Sequence, residues 1–129
     1  MLDETQMKLV LQQYIDGFNR KDSDLLISLF ADDAKIEDPV GGGKIVKGKD
    51  SIASFYKQAV TMVDKLELAA PIRGSHSNFA AMAFDIFIKM GDKNICIYTI
   101  DVMEFNNFGK IVDMKAFHGP EDMVELQHK

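Results

Sequence analysis

Residues 79–105 read FAAMAFDIFIKMGDKNICIYTIDVMEF, two runs rich in aliphatic and aromatic side chains joined by Gly91-Asp92-Lys93-Asn94. Turn residues between two such runs predict a β-hairpin, with strands over residues 79–90 and 95–105. Similar runs flank it. Residues 65–73 precede the turn-rich Gly74-Ser75-His76-Ser77-Asn78, and residues 110–118 follow Asn106-Asn107-Phe108-Gly109, so the C-terminal half reads as an antiparallel meander with hairpin loops. Alternation along residues 95–105 puts Asp101 on one face with Ile97, Thr99, Met103 and Phe105.

Upstream, the period changes from two to 3.6. Over residues 4–20 the positions Met7, Val10, Leu11, Tyr14, Ile15 and Phe18 form one apolar helical face, with Tyr14 on its buried side. Asp22 or Ser23 can cap a second, short helix with Leu25, Leu26, Leu29 and Phe30 inward, ended by Ala31-Asp32-Asp33. Residues 35–39 predict a short strand on which Ile36 and Asp38 share a side and Pro39 stops the ladder. Gly41-Gly42-Gly43 is a turn, since it lacks the spacing of a phosphate-binding loop and no helix begins directly after it. A third helix over residues 49–63 turns Ile52, Phe55, Tyr56, Ala59, Val60 and Val63 inward. Helices first and a meander afterwards predict an α+β fold, a curved sheet covered by three helices with a pocket between.

The 129 residues suit one domain spanning 1–129, long enough to build a core. A net charge of −5, with Lys and Arg scattered, disfavours nucleic acid or an anionic membrane as partner. There is no apolar run near the roughly 18 residues of a membrane span, and Met1 is followed by Asp3 and Glu4, not by a basic leader; a soluble cytoplasmic protein is expected. The single cysteine, Cys96, lies between Ile95 and Ile97 and predicts a buried structural thiol. His76, His118 and His128 are too far apart for a zinc motif, so no metal is expected.

Three side chains stand out against this background. A carboxylate among hydrocarbons costs several kcal/mol, so Asp101 on an apolar face would take up a proton and become a donor; a solvated face or a lysine partner would leave it ionised. Asp38 at a strand end fits a turn-forming aspartate as well as a partly desolvated base at a pocket rim. Tyr14 fits a core tyrosine with a satisfied hydroxyl as well as a donor. Taken together, two carboxyls in unlike settings and a buried phenol match proton abstraction beside a carbonyl, which needs an ionised base and donors for the enolate oxygen.

Phe30-Ala31-Asp32-Asp33-Ala34 followed by Glu37-Asp38-Pro39-Val40-Gly41 resembles the signature of bacterial Δ5-3-ketosteroid isomerases. Tyr14, Phe55-Tyr56, Ile100-Asp101, Gly109-Lys110 and Met114 fall at corresponding positions, with one residue inserted near Gly41 to Gly43, so the resemblance runs from Met7 to Gly119. It implies the cone-shaped α+β fold of nuclear transport factor 2, also called cystatin-like, and a homodimer packed through the sheet. It further implies a steroid delta-isomerase that needs no cofactor. Asp38 would be the base moving a proton of an apolar 3-oxo-Δ5 steroid, with Tyr14 and protonated Asp101 holding the dienolate oxygen and Tyr56 supporting Tyr14. Phe55, Phe84, Met114, Ala116 and His118 would contact the substrate, within an apolar wall that Met82, Ile86 and Ile88 extend.

His118 departs from the family, which carries a large aromatic there. It shares a face with Val112, Met114 and Ala116, and fits a wall residue with a wet tip, a substrate hydrogen-bonding group or a second base. Two other readings on the same fold therefore stay open: a SnoaL-like polyketide cyclase using Asp38 with His118, and a non-catalytic binding pocket. Epoxide hydrolysis would want an arginine between carboxylates, and Arg20 and Arg73 fall at element ends.

Overall fold

A computed structural model describes residues 2–127, so His128 lies outside the described residues. Helix α1 (Glu4–Asn19) begins at a capping box in which Asp3 accepts from the Gln6 amide and Gln6 accepts from the Asp3 amide. Its inward face is the predicted one, with Met7, Leu11, Tyr14, Ile15 and Phe18 buried. Asp22 caps α2 (Ser23–Ser28) by accepting from the Leu25 amide. At Gly17 a Cβ would lie 2.9 Å from Leu26, so glycine is what lets α1 and α2 approach this closely.

The second helix is shorter than its apolar spacing suggests. Strand β1 (Phe30–Glu37) starts at Phe30, so Phe30 and Ala31-Asp32-Asp33 are strand, not helix face and helix stop. The reason is tertiary: the Leu29 carbonyl accepts from Ile111 N at 2.9 Å and Phe30 lies beside Ile111 in a parallel ladder, and that pairing prevails over the local helical period. Strand β2 (Ile45–Lys47) was not legible and pairs antiparallel with β1. Helix α3 (Lys49–Met62) buries Ile52, Tyr56 and Val60 and passes directly into β3 (Val63–Leu68). Beyond β3 the expected strand is interrupted; Arg73 rejoins the sheet only as an isolated bridge to Ala81.

Strands β4 (Phe79–Met90), β5 (Lys93–Phe105) and β6 (Ile111–Phe117) follow the predicted meander. A shift in register between β5 and β6 leaves Phe105 opposite Ile111 and Glu104 opposite Asp113, and Ile111 is fully buried where Val112 is only half-buried. After a 3-10 turn (Pro120–Asp122), β7 (Met123–Leu126) pairs with residues 94–97 of β5, another strand the sequence did not reveal. The order β2-β1-β6-β5-β4-β3 makes a curved, unclosed mixed sheet, parallel only where β1 meets β6.

Helix α1 packs on β3 and β4, and α3 on β1, β2 and β3, so one face of the sheet and the helices enclose the core. Along β5 the side chains alternate as predicted: Ile97, Thr99, Asp101, Met103 and Phe105 are buried, whereas Tyr98 and Ile100 are exposed on the other face. Cys96 is buried and its thiol is held protonated, by burial first and then by the negative Asp85 and Glu67. Among the described residues no helix is long and apolar enough to cross a membrane.

Candidate active site

Asp101 sits mid-strand on β5, between Met82 of β4 and Ala116 of β6 in the ladder, with Met103 two residues on. It is 1% exposed, and neither carboxyl oxygen has a hydrogen-bond partner among the described residues. Burial pushes its pKa well above the usual carboxylate range, and the negative Asp38 pushes it further the same way. With no donor bonded to either oxygen, the carboxyl lacks the hydrogen bonds that would stabilise an anion. A protonated Asp101 is a donor with nothing to donate to.

Helices α1 and α3 bring the two tyrosines together. The hydroxyls of Tyr14 and Tyr56 are 3.0 Å apart, and Tyr56 Oη also lies 3.8 Å from Met114 Sδ as a donor to sulfur. The rings meet edge to face at a centroid distance of 5.8 Å, and Phe18, Phe30 and Phe55 complete the aromatic packing around Tyr56. Both phenols titrate well above the ordinary tyrosine range, in each case chiefly because burial opposes the phenolate, so both remain protonated donors.

Asp38 follows the end of β1. Val40 N donates to Ala116 O at 2.8 Å, which lashes the Asp38–Pro39–Val40 segment to the end of β6. Beyond it, Gly41 and Gly43 take φ of 82° and 83°, backbone that a residue with a Cβ would strain to adopt. This anchoring brings Asp38 Oδ1 to 2.9 Å from His118 Nε2, with the two side chains 26% and 19% exposed.

Tyr14, Asp38 and Asp101 line one cavity of about 90 Å³, walled by Phe18, Phe55, Phe84, Ile86 and Thr99 among others. A separate cleft of about 540 Å³ lies largely over the other sheet face, lined by Ala83, Asp85, Tyr98, Ile100 and Phe117 and reaching Val40 and His118 at the strand ends. Of the substrate contacts expected from the sequence, Phe55 and Phe84 do border the inner cavity. Met114 and Ala116 do not line it: Met114 is fully buried beneath Tyr56, and Ala116 is covered beside Asp101. His118 borders the outer cleft. Thr99 was visible only as a face-mate of Asp101; its hydroxyl donates to Ile97 O at 3.3 Å. Arg20 and Arg73 are exposed, and no cluster of three His, Cys, Asp or Glu side chains among the described residues could hold a metal ion.

With this geometry in view, the comparisons are specific. The SnoaL-like domain family matches residues 11–114, from the middle of α1 to Met114 beside Tyr56. The chain belongs to the SnoaL-like domain family. This SnoaL-like chain is 34% identical over 119 residues to a steroid Δ-isomerase of Nocardioides simplex, covering 92% of the chain and 94% of that relative. Its fold matches the solved structure of SalBIII, an epoxide hydrolase/cyclase-like enzyme with a role in pyran ring formation in the polyether salinomycin, with a TM-score of 0.87 and 25% identity. That match covers 98% of this chain and 100% of the other. The fold is thus the nuclear transport factor 2-like one, and the relatives are enzymes.

Proposed function

We propose that this SnoaL-like protein is a ketosteroid-isomerase-like enzyme that moves a carbon–carbon double bond of a 3-oxo-Δ5 steroid or similar apolar ketone. The observation that carries this reading is the orphaned, fully buried Asp101 carboxyl bordering the same cavity as the Tyr14 hydroxyl and the Asp38 carboxylate. A substrate carbonyl oxygen entering the cavity meets two protonated donors, and their hydrogen bonds strengthen as negative charge develops on it. Asp38, with Oδ1 engaged by His118, has Oδ2 to take the proton from the carbon beside the carbonyl; the electron pair moves into the dienolate. The same proton returned to the far end of the dienolate completes the shift. Tyr56 supports the Tyr14 hydroxyl from behind.

A space of about 90 Å³ is well below the roughly 300–1,000 Å³ of a ligand pocket, so it suits the reacting ring alone. On the other sheet face Tyr98, Ile100 and Phe117 are exposed together, with Ile100 directly opposite Phe117, which supports a second copy packing there. The test is conversion of 5-androstene-3,17-dione to its conjugated isomer, followed by the new ultraviolet absorbance. A folded protein without turnover would remove the isomerase reading.

The 2.9 Å contact of Asp38 with His118 favours a second reading, an acid-base cyclase in which this pair handles protons on a longer polyketide. It predicts that His118→Phe abolishes activity on the true substrate, whereas unchanged or improved steroid turnover by that variant argues against it.

A further inference from the structure

Among the described residues the Asp38 carboxylate has one hydrogen-bond partner, the imidazole of His118, with Oδ1 2.9 Å from Nε2. Asp38 lies past Glu37, the last residue of β1, and 26% of its side chain is exposed, so water reaches the carboxylate. His118 is held on both sides along the chain. The Ala116 carbonyl before it accepts from Val40 N at 2.8 Å, and Gly119 N after it donates to Asp122 Oδ2 at 2.7 Å. A carboxylate at a strand end thus meets a donor whose backbone is pinned. Because a carboxylate only accepts, the Nε2 facing it carries the hydrogen. That assignment serves both halves of the reaction: once Asp38 has taken a proton on Oδ2, Oδ1 is a carbonyl oxygen and still accepts from the same N–H.

We propose that His118 is a positioning residue that keeps the transferred proton on one oxygen of Asp38: its N–H occupies Oδ1, holds Oδ2 toward the cavity that Asp38 borders, and denies Oδ1 to water. The inference rests on the isomerase reading and deepens it. The substrate C–H bond breaks, its electron pair enters the dienolate, and Oδ2 becomes O–H. The same O–H then protonates the far carbon of the dienolate and the carboxylate is restored. His118 gives up no proton at either step. Without the imidazole N–H, the carboxyl is free to turn between abstraction and return, and water can bond to Oδ1. Either event lets the neutral acid exchange its proton before the dienolate collects it, and a side chain exposed to this extent has water at hand to do so. Loss of a donor also makes Asp38 a stronger base, because a hydrogen bond to the charged form favours that form. Two opposed effects therefore act on the rate, and the fate of the proton is what reports the role of His118.

The experiment is turnover, in ordinary water, of 5-androstene-3,17-dione deuterated on the carbon between the carbonyl and the double bond. Absorbance gives the rate, and mass spectrometry gives the fraction of early product that keeps the transferred deuteron. The wild-type product should keep it in most molecules. His118→Ala removes the donor and should lower that fraction several-fold, whereas His118→Gln, whose side-chain amide can present an N–H to Oδ1, should restore it. The fraction is counted per product molecule, so a partly unfolded variant still reports, and a merely structural role for His118 would lower the rate without moving it. Equal retention in wild type and His118→Ala, or retention as low in His118→Gln as in His118→Ala, overturns the positioning role while turnover keeps the isomerase reading intact. Absence of turnover in the wild type appears in the absorbance itself, and it takes down both together.

Discussion

The hydroxyl of Tyr14 and the carboxyl of Asp101 border one cavity without hydrogen-bonding to each other. Leaving a buried donor or acceptor unsatisfied costs about 1–3 kcal/mol, so an Asp101 with no partner is a standing cost that an incoming oxygen relieves. The variants Asp101→Asn and Asp101→Leu separate donor from charge. Asparagine keeps an N–H where the protonated carboxyl offers an O–H, and should retain more turnover than leucine, whose loss should reach roughly 10²–10³ as for removal of one oxyanion donor. Equal rates in the two variants would contradict the donor role.

The same burial makes a thermodynamic prediction that needs no substrate. Asp101 is held well above its unfolded value of about 3.9, chiefly by burial and then by Asp38, so above that pH the unfolded chain releases a proton that the folded one keeps. Stability is then greatest below the unfolded pKa and falls as pH rises toward the folded one, at up to about 1.4 kcal/mol per pH unit. Asp101→Asn removes this dependence. Urea titrations at pH 3, 5 and 7 should show asparagine gaining on wild type as pH rises; a gap independent of pH would place an ionised carboxylate in the core.

Removing the base is the simplest test of the chemistry. Asp38 is partly exposed at the end of β1, so Asp38→Asn should leave folding and ligand binding in place while turnover drops by roughly 10²–10⁴, the range for a general base. A variant with undiminished turnover would move the base elsewhere, with His118 the first candidate.

How far the sequence could be read depended on whether the signal was local. The face shared by Ile97, Thr99, Asp101 and Met103 followed from alternation alone, because a strand's period is fixed by its pleat. The helical positions of Tyr14 and Tyr56 followed likewise from a 3.6 period, and the 3.0 Å contact between them matches the support expected from the family resemblance. What local pattern could not supply was anything decided by a distant partner. Phe30 becomes strand because Ile111 is beside it, and β2 and β7 are too short to carry a period and exist by pairing with β1 and β5. The meeting of Asp38 with His118 depends on the parallel register of β1 on β6 and on the anchoring of Val40 to Ala116, neither of which is written in a spacing. For the same reason Met114 and Ala116, correctly read as inward, proved to lie under the site and not on its surface.

The arrangement of hydroxyls around Tyr56 gives the last prediction. With the cavity empty of an acceptor, Tyr14 can donate to Tyr56 and Tyr56 to the Met114 sulfur; a substrate oxygen beside Tyr14 would reverse the first bond, so that Tyr56 donates to Tyr14 and Tyr14 to the substrate. Tyr56 would then act only through Tyr14. Tyr14→Phe should lower turnover by roughly 10²–10³, as loss of a direct oxyanion donor. Tyr56→Phe should cost about tenfold or less, since one buried neutral hydrogen bond is worth about 0.5–1.5 kcal/mol. The decisive measurement is the double variant, because residues in one hydrogen-bond chain are not additive. Once Tyr14 has lost its hydroxyl, Tyr56 has nothing to support, and the double variant should be no slower than Tyr14→Phe alone. Losses that multiply would show Tyr56 acting on the substrate or the fold by a route of its own, and chemical denaturation of the same four proteins distinguishes those two outcomes.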